Sequence, residues 1–198
     1  MTVQRLVFLI VMVALPGYSG NVERWTTNYY SVTGATLVEI RQSLQQSRAW
    51  KDKSNTDGLT EWRINWRYNV LATSNDCRIQ SFSTETLINI TMPRWVAPTN
   101  APQNVREAWT GYIKALGEHE AGHGQIGQAA AAELHKRVNA LPGDASCESL
   151  KSRIEATCRQ LIQDYKKRDK EYDKRTDHGA TQGARLPGRG WRRQSTKP

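Results

Sequence analysis

The chain has 198 residues, of which 38% are hydrophobic and 24% are charged, and its formal net charge is +9 at pH 7. This length suits one domain, and seven tryptophans supply material for a hydrophobic core. The charge is uneven: residues 1–149 carry 14 basic and 13 acidic side chains, whereas residues 180–198 carry five basic and none acidic. The excess charge therefore belongs to the C-terminus and does not indicate a specific nucleic-acid partner.

The N-terminus has the three parts of a secretory signal. Met1–Arg5 is short and basic, Leu6–Leu15 is an unbroken apolar run, and small residues follow up to Ser19. The apolar run is shorter than the roughly 20 residues that span a membrane. We therefore expect a signal peptide over residues 1–19 and an exported protein, periplasmic or secreted, with an uncleaved membrane anchor as the alternative.

The next part of the chain predicts a small antiparallel sheet and one early helix. Residues 29–33 resemble a short strand, and residues 35–46 have apolar side chains at helical spacing. The clearest strand runs from Trp62 to Val70, where apolar and polar residues alternate, as expected for a sheet covered on one face. Further strands are predicted over residues 77–83 and 87–92, the last ended by Pro93.

Two long helices are predicted after the sheet. The first covers about residues 103–141 and contains several glycines, at which a kink is possible. The second begins after an N-cap at Ser146 and runs to about residue 175, with Gly179 suited to its C-terminal stop. The fold class is therefore α+β, with the domain over residues 22–180.

Residues 181–198 predict a disordered basic tail, because the segment is rich in arginine and glycine. Such a tail is able to make weak contact with an anionic envelope surface.

If the protein is exported, its three cysteines lie in an oxidising compartment, where disulfides persist. Cys147 and Cys158 lie on one predicted helix, about 16 Å apart along its axis, which is too far for a disulfide. We expect Cys77 to pair with Cys147, leaving Cys158 free and buried. The competing arrangement is a Cys77–Cys158 disulfide.

Residues 119–123 read His-Glu-Ala-Gly-His, which matches the HExxH pattern. On a helix, His119 and His123 lie one turn apart on the same face, where two imidazoles can hold one metal ion. Glu120 is rotated by about 100° around the helix, beside the ion, where it can take a proton from water. Flanking apolar residues at helical spacing place the motif on the inward face. The sequence therefore predicts a zinc site with His119 and His123 as ligands and Glu120 as catalytic base.

A catalytic zinc takes three protein ligands, so one more must lie outside the motif. The extended metzincin signature requires a histidine six residues after the second one, but that position is Ala129. Glu133 and His135 lie on the same helix, about 15 and 18 Å along its axis from His123. They cannot reach the same ion, and we expect both on the surface.

His178 is the remaining histidine and lies just beyond the last helix. An antiparallel return of that helix brings its end over the motif, so His178 is the predicted third metal ligand. Asp173 and Asp177 are the carboxylate alternatives. Tyr172 is a candidate for a donor to the oxyanion, and the competing interpretation is a packed tyrosine.

With these motifs assembled, the chain resembles a family of exported bacterial proteins of unknown function, described as predicted secreted zinc-dependent proteases. The resemblance runs from about Tyr29 to Gly179. It implies a zincin-like metallopeptidase site that uses His119 and His123, and it supports His178 as third ligand, but it implies no substrate. It rests on Tyr29-Tyr30-x-Val32-x-Gly34, the tryptophan-rich strand, Cys77, Leu87…Pro93-x-Trp95, the HExxH motif, Cys147 and Tyr172-Asp173…Thr176-x-His178-Gly179.

These observations predict a secreted zinc-dependent peptidase that acts on a peptide or protein substrate with a zinc-activated water and Glu120 as general base. One rival is a non-catalytic envelope binding protein stabilised by zinc. Another is a cell-wall amide hydrolase, which shares the chemistry and differs in substrate.

Overall fold

The computed structural model describes residues 20–48, 50 and 56–186. The predicted α+β class is confirmed: a three-stranded sheet is followed by two long helices. The predicted signal peptide and most of the predicted tail lie outside the described residues. The elements are β1 (Asn21–Val32), α1 (Leu37–Ser47), β2 (Leu59–Ala72), β3 (Cys77–Trp95), α2 (Gln103–Asn139), α3 (Cys147–Thr176) and a 3₁₀ turn (Ala180–Gln182).

The sheet is mixed, with strand order β1-β3-β2. β2 and β3 form the expected antiparallel hairpin, but β1 runs parallel to β3, from Asn21 opposite Thr84 to Val32 opposite Trp95. The prediction of a wholly antiparallel sheet is therefore wrong for β1. The reason is the connection: α1 and the whole of β2 separate β1 from β3, which is long enough for a crossover that returns the chain in the same direction.

β3 is one long strand rather than the two short ones predicted, and it continues through Pro93 to Trp95. Proline lacks an N–H group and is tolerated only where a ladder hydrogen bond is not needed. The pairing with β2 ends at Thr91, so Pro93 has a neighbouring strand only on the β1 side. Pro93 therefore marks the end of the hairpin, not the end of the strand.

The hydrophobic core lies between one face of the sheet and the helices. The apolar face of β2 points inward, with Ile64 buried and Trp62 and Trp66 packed against the core, as the alternation predicted. One cluster joins the sheet to the second half of α2 and to α3, and the other joins it to α1 and the first half of α2. The largest fully buried side chains include Phe82, Leu134, Leu150 and Ile154 in the first cluster and Ile40, Leu44, Ile88 and Tyr112 in the second.

α2 is a single helix of 37 residues, unbroken at its glycines. A Cβ atom on Gly124 would lie 2.2 Å from the ring of Trp25 on β1. A Cβ atom on Gly122 would lie 2.3 Å from the hydroxyl oxygen of Tyr172 on α3. These glycines therefore let a strand and a second helix approach α2 closely, which offsets their cost in helix propensity.

α3 begins after Ser146, whose side chain accepts a hydrogen bond from the backbone N–H of Ser149, as the sequence predicted. The predicted disulfide is confirmed: Cys77 on β3 is bonded to Cys147 at the start of α3, with their Cα atoms 5.2 Å apart. Cys158 is free and buried, also as predicted. The disulfide ties the beginning of α3 to the sheet.

The described chain continues past α3 and turns back over α2, so that Leu186 is buried in the second core cluster. The domain boundary predicted at residue 180 stays a prediction. Among the described residues, no helix combines the length and the hydrophobicity needed to cross a bilayer.

Candidate metal centre

The HExxH motif lies in the middle of α2, with all three of its polar side chains buried. His119, Glu120 and His123 are 1%, 2% and 6% exposed. The Nε2 atoms of the two histidines are 3.3 Å apart, as expected for ring nitrogens one helical turn apart on a shared face. The predicted pair of imidazoles therefore converges on one point.

Asp173 of α3 completes a group able to hold a metal ion. Its Oδ1 atom lies 3.2 Å from Nε2 of His119 and 3.1 Å from Nε2 of His123. The ligand atoms of these three residues all lie within 4.8 Å of one another. In a tetrahedral zinc site with bonds of about 2.0–2.1 Å, neighbouring ligand atoms are about 3.3–3.4 Å apart. The triangle thus has nearly the size of one face of such a tetrahedron, and its donor types suit zinc.

The other ring nitrogen of each histidine, Nδ1, contacts a supporting side chain. Nδ1 of His123 lies 2.8 Å from Oδ1 of Asp169, and Nδ1 of His119 lies 2.9 Å from Oε1 of Gln182. An ionised carboxylate can only accept, so Nδ1 of His123 carries the proton in this pair. In the neutral rings the Nε2 lone pairs then face each other and Asp173. Metal-binding histidines are oriented by the same kind of contact.

The electrostatics of this group favour a cation. Burial lowers the pKa of His123, but hydrogen bonds to Asp169 and Asp173 outweigh burial and raise the pKa to about 10. Burial raises the pKa of Asp173, but hydrogen bonds from His119 and His123 outweigh it and hold the pKa well below its usual range. When no metal ion is bound, a proton on His123 supplies positive charge where the ring nitrogens and the Asp173 carboxylate converge.

Glu120 faces β2 rather than α3. Its Oε2 atom accepts a hydrogen bond of 2.7 Å from the hydroxyl of Thr60. Burial raises the pKa of this carboxyl, and the hydrogen bond from Thr60 and the nearby histidines only partly offset the rise. Glu120 is therefore a buried carboxylate beside the candidate metal position, with one oxygen held by β2.

Tyr172 supports His119 from the side. Its ring is stacked on the imidazole with centroids 5.1 Å apart, and its hydroxyl donates to the backbone oxygen of His119 at 3.3 Å. Gln182 donates to the same hydroxyl at 3.1 Å. These contacts match the competing interpretation of a packed tyrosine better than that of an oxyanion donor.

His178 lies beside the group but outside it. Its Nδ1 atom is 3.3 Å from Oδ1 of Asp173, and its side chain is 44% exposed. Asp177, His178 and Gly179 all have left-handed backbone conformations, with φ of 49°, 50° and 81°. This turn reverses the chain after α3 and carries His178 and Gln182 towards α2. The prediction that His178 is a metal ligand stays a prediction.

The other candidates are not part of this group. The side chain of Asp177 pairs with Arg185 at 2.7 Å. Glu133 pairs with Arg137 at 2.8 Å, along the surface of α2. His135 was expected on the surface but is half-buried, because its Nε2 atom lies 3.0 Å from the hydroxyl of Thr84 and its ring packs edge-on against Phe82.

Sequence reasoning missed three residues that support the site: Asp169, Gln182 and Thr60. A signal for Asp169 was present, since Asp169 and Asp173 are one helical turn apart and match the spacing of His119 and His123. Gln182 and Thr60 carried no comparable signal, because a lone glutamine or threonine has many ordinary roles.

Comparison with protein families matched residues 27–179 to DUF922, a bacterial protein family of unknown function. The chain belongs to this family. Comparisons with curated proteins and with solved structures found no match. The resemblance inferred from the sequence is thus confirmed at the level of a bacterial family of unknown function. The match assigns no activity to this DUF922 protein.

Proposed function

We propose that this DUF922 protein is an exported, zinc-dependent peptidase. The observation that carries the proposal is the triangle formed by His119, His123 and Asp173, with the buried carboxylate of Glu120 beside it. The Cys77–Cys147 disulfide supports export, because such bonds persist in oxidising compartments.

His119 and His123 supply two of the protein ligands in this proposal, and the segment from Asp173 to His178 supplies the third. The distances favour Asp173, whose Oδ1 is within 3.2 Å of both Nε2 atoms. His178 is the alternative. It lies next to Asp173, so a movement of its side chain would bring it to the same metal ion.

Substituting each residue of this segment distinguishes the two. The true ligand is the one whose replacement by alanine lowers zinc affinity most, and Asp177→Ala is the matched control because Asp177 pairs with Arg185 instead. An unchanged affinity in both Asp173→Ala and His178→Ala would contradict a third ligand from this segment.

Bound zinc supplies a Lewis acid that activates water and polarises the scissile carbonyl. The protein's own contribution is the movement of a proton by Glu120, from the attacking water to the leaving amine. The raised pKa of Glu120 suits this role, because a base must also release the proton it takes. Thr60 fixes one oxygen of the carboxylate and so orients the other.

The test is a comparison of Glu120→Gln with the unchanged protein, using bound-zinc measurement and cleavage of a mixed peptide library. The variant should keep zinc and lose about 10²–10⁴-fold in rate. Glu107→Gln is the matched control, since Glu107 is an exposed residue of the same helix. Equal turnover by Glu120→Gln would remove the proposed mechanism.

A second candidate is a non-catalytic protein stabilised by zinc, and the enclosure of the group favours it. His119 and Glu120 are almost fully buried, and His178 is placed near enough to Asp173 to offer a fourth donor. A zinc site closed by four protein ligands has no place for water. This candidate predicts that a chelator unfolds the protein and that neither peptides nor peptidoglycan is hydrolysed before unfolding.

A further inference from the structure

A groove between α2 and α3 lies on the other side of α2 from Glu120. Its volume is about 480 Å³, and its α2 wall includes Gly122 and Ile126. Gly122 is two residues after Glu120, hence about 200° around the helix from it. The groove is therefore separate from the side of α2 that Glu120 occupies against β2, although its walls include Tyr172 and Gln182, which contact His119.

Two arginines on α3, Arg168 and Arg175, line the groove. They are seven residues apart, which is about 10 Å along the helix. The guanidinium carbon of Arg168 lies 4.5 Å from the ring centre of Tyr165, and that of Arg175 lies 5.7 Å from the ring centre of Tyr172. Each cation therefore rests on an aromatic wall of the groove, which restricts its position before any ligand binds.

Neither guanidinium forms a salt bridge with another residue in the described part of the chain. This distinguishes them from the arginines that are neutralised by carboxylates. Those are Arg24, Arg41, Arg78, Arg137, Arg153, Arg159 and Arg185.

The surrounding surface adds positive charge. Asp169 and Asp173 contact the histidines of α2, so they do not neutralise the outer face of α3. The acidic residue in the groove wall is Glu118, which lies 3.9 Å from Lys114. Glu133 of α2 is near enough to Arg168 for the arginine to lower the pKa of this carboxyl, but Glu133 forms its salt bridge with Arg137. The exposed lysines of this part of α3 are Lys166, Lys167, Lys170 and Lys174, against two exposed acids, Asp164 and Glu171.

We propose that this groove binds an acidic peptide segment, with one carboxylate on Arg168 and another on Arg175. A peptide in the polyproline II conformation advances about 3.1 Å per residue with three residues per turn, so carboxylates three residues apart lie on the same side and match the arginine spacing. Ile126 and the two tyrosines supply apolar contacts between the charges. A concave site of this volume fits a few residues of peptide, whereas a flat lipid surface reaches only the rim.

The test uses the full mature chain and a short peptide, blocked at both ends, with two aspartates separated by two residues. The matched peptide has asparagines in their place, and binding is measured by calorimetry. We expect the aspartate peptide to bind, added salt to weaken it, and Arg168→Ala and Arg175→Ala each to reduce affinity by about tenfold. This binding needs no catalysis, so it stands or falls separately from the peptidase proposal.

Arg63→Ala/Arg67→Ala is the control, because both arginines are exposed on β2 and form no salt bridge within the described residues. It should bind the peptide as the unchanged protein does. Equal binding of the asparagine peptide, no binding of either peptide, or an equal loss in the control would overturn the proposal. So would binding to phosphatidylglycerol vesicles that depends on Arg168 and Arg175 while the peptide fails to bind, which would assign the surface to a membrane.

Discussion

The Nδ1 atom of His123 lies 2.8 Å from Oδ1 of Asp169, one helical turn before Asp173 on α3. Two pairs of residues with the same spacing thus face each other across the two long helices. On α2 the pair consists of imidazoles, and on α3 it consists of carboxylates. Asp173 contacts the Nε2 atoms of both histidines, and Asp169 contacts Nδ1 of His123.

Removing the carboxylate behind His123 should weaken the metal site without removing a ligand. We expect Asp169→Ala to lower zinc affinity by about 10–100-fold, because the imidazole loses the acceptor that fixes its tautomer and orientation. The measurement is competition with a zinc-binding dye. Asp164→Ala is the matched control, since Asp164 is an exposed residue of the same helix that accepts a hydrogen bond from Gln160. A loss of affinity no larger than in this control would show that Asp169 does not support the metal.

The metal-free protein should become less stable as pH rises above neutrality. The pKa of His123 is about 10 in the folded state and about 6.5 when unfolded. Its contribution to the free energy of unfolding is therefore complete below pH 6.5 and is lost as pH rises through about 10. The contribution of Asp173 depends on pH in the opposite direction. Its pKa is depressed in the folded state, so its contribution to the free energy of unfolding is present above about pH 3.8 and is lost as pH falls.

Thermal unfolding in the presence of a chelator checks this dependence. Between neutral pH and pH 10, the unfolding temperature of His123→Gln should fall less steeply than that of the unchanged protein. His135→Gln is the control, because burial lowers the pKa of His135 and its imidazole is therefore uncharged throughout this range. Parallel curves for the protein and His123→Gln would contradict the proton on His123.

Most of the fold could be predicted because its signals are local. The alternation in β2, the apolar spacing of the helices and the cap at Ser146 depend on neighbouring residues, and all appear in the structure. The direction of β1 could not be predicted, because it depends on where a long connection returns the chain. The length of β3 was missed because the effect of Pro93 depends on which strand lies beside it.

The site divides in the same way. His119, Glu120 and His123 share one turn of one helix, so their spacing alone predicts their proximity. The partner residues come from α3 and from the turn beyond it, and the choice between Asp173 and His178 depends on the angle and register of two packed helices. Those quantities are set by core contacts far from the motif, which a single sequence does not reveal.

Removing the Cys77–Cys147 disulfide should destabilise the protein by about 4 kcal/mol, because its ends are 70 residues apart in sequence. We expect this loss of stability to come mainly from the greater conformational freedom of the unfolded chain. In the folded protein α3 is also held by its packing on the core. Urea unfolding of Cys77→Ala/Cys147→Ala measures it. Stability within about 1 kcal/mol of the unchanged protein would show that the core alone holds α3.

The buried thiol of Cys158 should be inert in the folded protein. Burial, helped by the charge of Glu155, raises its pKa to about 12, so the reactive thiolate is scarce at mildly alkaline pH. A thiol reagent should label the oxidised protein only after urea is added. Rapid labelling of the folded protein would mean that α3 opens far more often than its packing indicates.

Two glycine substitutions should have opposite effects on stability. Gly179 has φ of 81°, and a Cβ atom there would lie 2.8 Å from Cγ of His119. Gly179→Ala should therefore cost at least about 1–2 kcal/mol for the left-handed backbone alone and should also weaken zinc binding by displacing His119. Gly111 lies in α2 with open space around it, so Gly111→Ala should stabilise the protein by up to about 1 kcal/mol and leave zinc binding unchanged. Urea unfolding and zinc competition test both variants, and unaltered zinc binding by Gly179→Ala would show that the turn after α3 does not position His119.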